Sequence, residues 1–132
     1  MHERKIRILL GKLGKGHKDA QLSLARSFSE AGFEVIYTEL QEPEAIVRSA
    51  LQESVDHIGV TVLPGADIKT FAQIKKLLQE EGSAYITITA GGILNEADIA
   101  SLPDMGVMKF FEQGTSFEEL IAWSKKNITP KA

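Results

Sequence analysis

The chain has 132 residues, 43% hydrophobic and 25% charged, with a net charge of −3. That length suits one domain able to bury a sizeable core. Acidic and basic residues are interspersed, which excludes the clustered Lys and Arg of a nucleic-acid or membrane surface. Cysteine is absent, so disulfides and thiolate chemistry are excluded too.

No apolar stretch approaches the ~18 residues that span a bilayer. The charged start, Met1-His2-Glu3-Arg4-Lys5, runs straight into a strand-like segment and does not read as a secretory signal. The expected compartment is the cytoplasm. The first strand is expected at Ile6–Leu10. A helix over Asp19–Ala31 follows, with Leu22, Ala25 and Phe28 on one face and Gly32 as its C-cap. Glu34–Thr38 is the second strand, and Pro43–Glu53 a helix presenting Ile46, Val47, Ala50 and Leu51. His57–Val62 is the third strand. The next helix, Asp67–Glu81, carries Ile68, Phe71, Ile74, Leu77 and Leu78, with Asp67 placed to cap it and Gly82 to end it. Ala84–Thr89 is the fourth strand; the short helix Asn95–Leu102 has Asn95 at its N-cap. Val107–Phe111 is the fifth strand, and Ser116–Lys126 opens on the capping box Ser-Phe-Glu-Glu. The segment Lys125–Ala132, with Pro130 near its end, is expected to fray.

The strands are short, β-branched or aromatic, and apolar on consecutive positions, as strands covered on both faces must be. Five β-α units with short connections and right-handed crossovers give a parallel sheet with helices on both faces. The expectation is therefore a flavodoxin-like, doubly wound α/β fold with five strands in the order 2-1-3-4-5. Residues 1–132 form a single domain in this reading, its core about 5–126, with a short disordered C-terminal tail.

In such sheets ligands bind outside the carboxyl ends of the strands, at the switch point between the first and third. The loops there are Gly11–Lys18, Leu63–Ala66, Ala90–Leu94 and Glu112–Thr115. They hold Gly11, Gly14, Gly16, Gly65, Gly91, Gly92 and Gly114, most of the chain's 11 glycines. So many together favour a broad, flat ligand laid across the strand ends, although each alone could simply make a turn. The first loop lacks both the Gly-x-x-x-x-Gly-Lys-Ser/Thr spacing of a phosphate loop and a Gly-x-Gly-x-x-Gly run. Its chemically notable residue is His17, at a helix N-terminus among glycines, where an imidazole can ligate a metal or exchange protons. His2 and His57 read as ordinary histidines, one terminal and one opening a strand. There is no Gly-x-Ser-x-Gly elbow, no His-Glu-x-x-His site and no carboxylate pair in these loops. A phospho-receiver would need acidic residues where Gly11, Lys12, Leu63 and Pro64 stand.

Several stretches in order, Ala31-Gly32-Phe33-Glu34-Val35-Ile36-Tyr37-Thr38, Val55-Asp56-His57-Ile58-Gly59-Val60, Gly91-Gly92-Ile93 and Gly114-Thr115-Ser116, carry a resemblance that runs from Ile6 to about Trp123. The chain resembles the cobalamin-binding domain of the methylmalonyl-CoA mutase family, which includes small subunits of isobutyryl- and 2-hydroxyisobutyryl-CoA mutases. That family's first loop carries Asp-x-His-x-x-Gly, followed by Ser-x-Leu after strand three and Gly-Gly after strand four. His17 falls on the motif histidine. The resemblance implies that His17 replaces cobalamin's own base as the lower ligand of cobalt, while the freed nucleotide tail threads between sheet and helix. Thr61 and Leu63 match Ser-x-Leu, Gly65 matches the glycine that follows, and Gly91 and Gly92 would line the tail's channel. Phe111, Gly114 and Thr115 would close the site after strand five, and Gly14, Lys15, Gly16, Lys18 and Ala20 complete the cofactor-binding loop around His17. The sequence departs from the pattern where Lys15 stands for the motif aspartate and Ala20 for its final glycine. An aspartate there would orient the imidazole, and such supporting partners matter 10–100-fold.

By this resemblance the chain is the small subunit of an adenosylcobalamin-dependent acyl-CoA carbon-skeleton mutase, an isomerase whose chemistry needs a large TIM-barrel subunit in a hetero-oligomer. Alone it should be inactive. Neither nucleic acid nor membrane is an expected partner. Two other readings stand beside it: a corrinoid carrier or sensor domain, and a degenerate relative that keeps the fold as an interaction module without cofactor.

Overall fold

The computed structural model describes residues 5–16 and 18–130. In chain order the elements are β1 (Arg7–Leu13), α1 (Lys18–Glu30), β2 (Glu34–Tyr37), α2 (Pro43–Gln52), β3 (His57–Val62), α3 (Lys69–Glu80), β4 (Thr87–Gly92), α4 (Glu96–Ser101), a 3-10 turn (Leu102–Met105), β5 (Val107–Glu112) and α5 (Phe117–Asn127). The strands form one parallel sheet in the order β2-β1-β3-β4-β5, as the sequence predicts. Among the described residues no helix is long and apolar enough to cross a membrane.

The two faces of the sheet are covered unequally. On one, Ile46, Val47 and Ala50 of α2 and Phe71, Ile74 and Leu78 of α3 pack on Leu9, Ile58, Val60 and Ile88. Phe71 is wholly buried, and burying a side chain of that kind is worth about 1.5–3 kcal/mol. On the other face the apolar cluster is smaller: Ile8 and Leu10 of β1 meet Phe28, Phe33 and Ile128, with Leu120 and Trp123 of α5 alongside. Phe28 and Phe33 stand edge to face with ring centroids 5.2 Å apart. Side chains from α1 and α5 thus leave part of this face unfilled, and that gap is where the cavity lies.

The boundaries differ from expectation in instructive places. β1 runs on to Leu13, because Gly11, Lys12 and Leu13 pair with Val60, Thr61 and Val62. β4 begins three residues late: Ser83 accepts from the Ile86 N–H at 3.1 Å, so Ala84 and Tyr85 form a turn, and Tyr85 is exposed. The strand instead takes in Gly91 and Gly92, paired with Thr61 and Val62. Tertiary pairing overrides the low strand propensity of glycine. Asp67 accepts the Lys69 N–H at 3.0 Å in a turn before α3 rather than standing at the N-cap, which is Ile68. Asn95 and Ser116 cap as expected, accepting the N–H groups of Asp98 and Glu119. The C-terminal segment does not fray from Lys125: α5 continues to Asn127 and Ile128 is buried against Phe28 and Phe33.

Candidate ligand-binding cavity

Parallel register sorts the sheet residues facing α1 and α5 into three rows. The outer row is Lys12, Thr61, Gly91 and Phe111; the middle is Leu10, Gly59 and Thr89; the inner is Ile8, His57 and Thr87. A cavity of about 210 Å³ lies over them. Gly92, Gln113, Gly114, Thr115 and Phe117 surround its outer end at the carboxyl ends of the strands, and Ile8, Phe28, His57 and Ser124 its inner end. The four residue steps from Thr61 to His57 make it roughly 13 Å deep at ~3.3 Å per residue. Gly59 creates the room: a Cβ there would stand 3.1 Å from Leu10 Cδ2 and 3.6 Å from Thr89 Oγ1, inside the cavity. A side chain at Gly91 would meet the Phe111 carbonyl at 3.3 Å. Phe111 is held by an edge-to-face contact with Trp123, 5.4 Å between centroids.

The structure gathers some of the expected site residues around the cavity and separates others from it. Ala20, Thr61, Gly91, Gly92, Phe111, Gly114 and Thr115 line it. Gly91 and Gly92 do so from within β4, not from a loop. Gly14, Lys15, Gly16, Leu63 and Gly65 do not line it. They form an adjoining rim instead, where Gly14 and Gly16 lie against Leu63 and the Lys15 N–H donates to the Pro64 carbonyl at 2.9 Å. The Gln41 amide clamps Gly14 from both sides, accepting its N–H at 2.8 Å and donating to its carbonyl at 3.0 Å. The Lys15 side chain is exposed, and Gly65 makes an open turn at φ +87° with nothing within 4 Å of a built Cβ. Lys18 begins α1. His17 lies outside the described residues, as does His2.

The cavity's polar groups Gln21, His57 and Thr89 were not anticipated. Gln21 of α1 is 3% exposed, and its Oε1 has no hydrogen-bond partner among the described residues. His57, read from sequence as an ordinary histidine at a strand's start, is 2% exposed; its Nδ1 lies 2.6 Å from Thr87 Oγ1 and its Nε2 2.8 Å from Thr89 Oγ1. Burial pushes the imidazole pKa down to about 3, against the opposing pull of the Asp56 carboxylate, so the ring is neutral at physiological pH. The signal was there in period-two spacing. His57-x-Gly59-x-Thr61 and Thr87-x-Thr89-x-Gly91 each put polar or side-chain-free positions on one face of a strand that is otherwise apolar.

A long, mostly apolar slot with a glycine-lined outer end and one orphaned buried amide fits a flat heterocycle carried on a polar tether. Among the described residues no three His, Asp or Glu side chains are grouped to hold a bare metal ion. A metal that arrives inside its own macrocycle would need only one protein ligand.

A family model described as "B12 binding domain" matches residues 6–121. The 2-hydroxyisobutanoyl-CoA mutase small subunit of Aquincola tertiaricarbonis is 37% identical over 123 residues, covering 92% of this chain and 90% of that protein. The pivalyl-CoA mutase small subunit of Xanthobacter autotrophicus is 32% identical over 120 residues, covering 89% and 80%. Among solved structures, a cobalamin-binding protein from Desulfitobacterium hafniense superposes with a TM-score of 0.75 at 16% identity, covering 93% of this chain and 59% of that one. At that identity the likeness speaks for the fold.

Proposed function

The chain belongs to the B12-binding domain family, and from that premise we propose that it is the cobalamin-holding small subunit of an acyl-CoA carbon-skeleton mutase. The observation that carries this reading is the cavity between the sheet and the α1–α5 layer, with its outer end at the switch-point loops. The nucleotide tail of the cofactor would enter past Gly92, Gly114 and Thr115 and lie over Gly59, with the Thr61 hydroxyl beside it. His17, just before α1, is the residue we assign to cobalt. Adenosylcobalamin is the form the proposed reaction requires: when bound it supplies a weak cobalt–carbon bond as the radical source for rearrangement.

This chain's own residues bind and orient. Gly14 and Gly16 let the first loop lie flat on Leu63, and the Gln41 clamp fixes that loop from behind. Lys15 stands where the family carries an aspartate two residues before the histidine, so the motif carboxylate that would receive the second imidazole nitrogen's proton is missing there; the nearest carboxylate in sequence is Asp19, on the other side of His17. Ala20 brings one methyl to the cavity wall, where the family has a glycine. Substrate chemistry belongs to a large TIM-barrel subunit, and the isolated chain is inactive in this reading. The surface for that subunit is the strand-end rim, where Leu40, Ile93 and Phe117 are exposed at 51%, 69% and 39%; apolar groups grouped on one rim are what a partner covers.

The test is the visible spectrum of hydroxocobalamin and adenosylcobalamin titrated with the chain together with its large subunit. A base-off, histidine-ligated spectrum that is lost in His17→Ala supports the reading. An unchanged spectrum supports instead a cofactor-free interaction module, a reading that Lys15 and Ala20 favour.

A further inference from the structure

The cavity is mostly apolar, and several of its oxygen atoms have acceptor capacity to spare. Gln21 Oε1, on the first turn of α1, is an acceptor buried within the wall and without a hydrogen-bond partner among the described residues. Thr89 Oγ1 is another. A neutral imidazole has one N–H and one bare nitrogen, so His57 either receives the Thr89 hydroxyl proton at Nε2 or donates to the Thr89 oxygen. In the first tautomer Thr89 keeps two lone pairs, in the second one. It can accept a hydrogen bond from the cavity in both. The Ser124 hydroxyl, at the same end, donates to the Leu120 carbonyl at 2.7 Å and is likewise left with acceptor capacity. Of the three, Gln21 Oε1 alone makes no hydrogen bond among the described residues, and buried polar groups are rarely left so without a reason, because each costs roughly 1–3 kcal/mol.

From this pattern we propose that the cavity is shaped for a tail base that carries a hydrogen-bond donor, a hydroxyl or amino group, on its buried edge, received by Thr89 and Gln21. The inference rests on the reading that a corrinoid's nucleotide tail occupies this cavity. Cobalamin's dimethylbenzimidazole presents only methyl groups on that edge and would leave both oxygens dry. A base with a hydroxyl in place of a methyl would satisfy at least one. His57 is a positioning residue here: at the inner end of the cavity and held by Thr87 on its far side, it turns the Thr89 hydroxyl.

The experiment compares two cobamides, cobalamin and its hydroxybenzimidazole analogue, by equilibrium binding to the chain in complex with its large subunit. The intact chain should hold the hydroxylated form about tenfold more tightly, the worth of one well-placed buried hydrogen bond. Thr89→Val should abolish most of that preference, and His57→Val should reduce it. Equal affinities in the intact chain, or a preference that survives Thr89→Val, overturn the proposal and leave the cofactor assignment standing. Binding of neither cobamide overturns both.

Discussion

The orphaned carbonyl of Gln21 sets stability against function at a single residue. Removing an unpaired buried acceptor relieves its desolvation penalty, so Gln21→Leu should raise the stability of the ligand-free protein by about 1 kcal/mol, measured by urea unfolding, while corrinoid affinity falls. A loss of stability would mean that the amide is satisfied in a way the structure does not show. His57 gives a pH signature. Its folded pKa, about 3, lies below the ordinary histidine value of 6.5, so below pH 6.5 the unfolded chain takes up a proton that the folded one refuses. Its contribution is therefore in place above pH 6.5 and is lost as pH falls from there toward 3. The slope is about 1.4 kcal/mol per pH unit for this group. Urea midpoints from pH 7 to pH 4 should fall more steeply for the native chain than for His57→Val; parallel curves would contradict the assignment.

At the scale of elements, β4 shows what was legible and what was not. Strand and helix order could be read from periodicity, and the caps at Asn95 and Ser116 from residue type. The start of β4 could not, because Ala84, Tyr85 and Ile86 look as strand-like as Thr87 to Thr89, and only pairing with His57 to Val62 picks the register. The cofactor-site residues that the sequence grouped in one rim divide in space, since β1 and β4 extend further than their composition implies. Ala20, Thr61 and Gly91 reach the cavity while Leu63 and Gly65 turn away. Gln21 and Thr89 escaped because no motif carries them, and His57 and Gly59 because the stretch that holds them pointed to the family without assigning them to the site. Gly92 ties β4 to its place: it sits at φ +135°, and a Cβ there would collide with the Val62 carbonyl oxygen. Gly92→Ala should cost about 1–3 kcal/mol, read as a lowered urea midpoint. An unchanged midpoint would mean the β3–β4 ends are looser than their register implies.

For the molecule as a whole, function follows from one asymmetry. α2 and α3 cover their face of the sheet with the larger apolar cluster and leave only a smaller pocket beside Lys75, Leu78 and Met108, while α1 and α5 cover only part of theirs and leave a slot that opens at the strand ends. If this slot holds the tail of the cofactor, Gly59→Val should shut it out, because an isopropyl group at that position occupies the middle of the slot. The variant should fold with a thermal midpoint equal to or above that of the native chain, yet bind hydroxocobalamin at least 100-fold more weakly in equilibrium dialysis with the large subunit present. Native-like affinity in a folded Gly59→Val chain would contradict it.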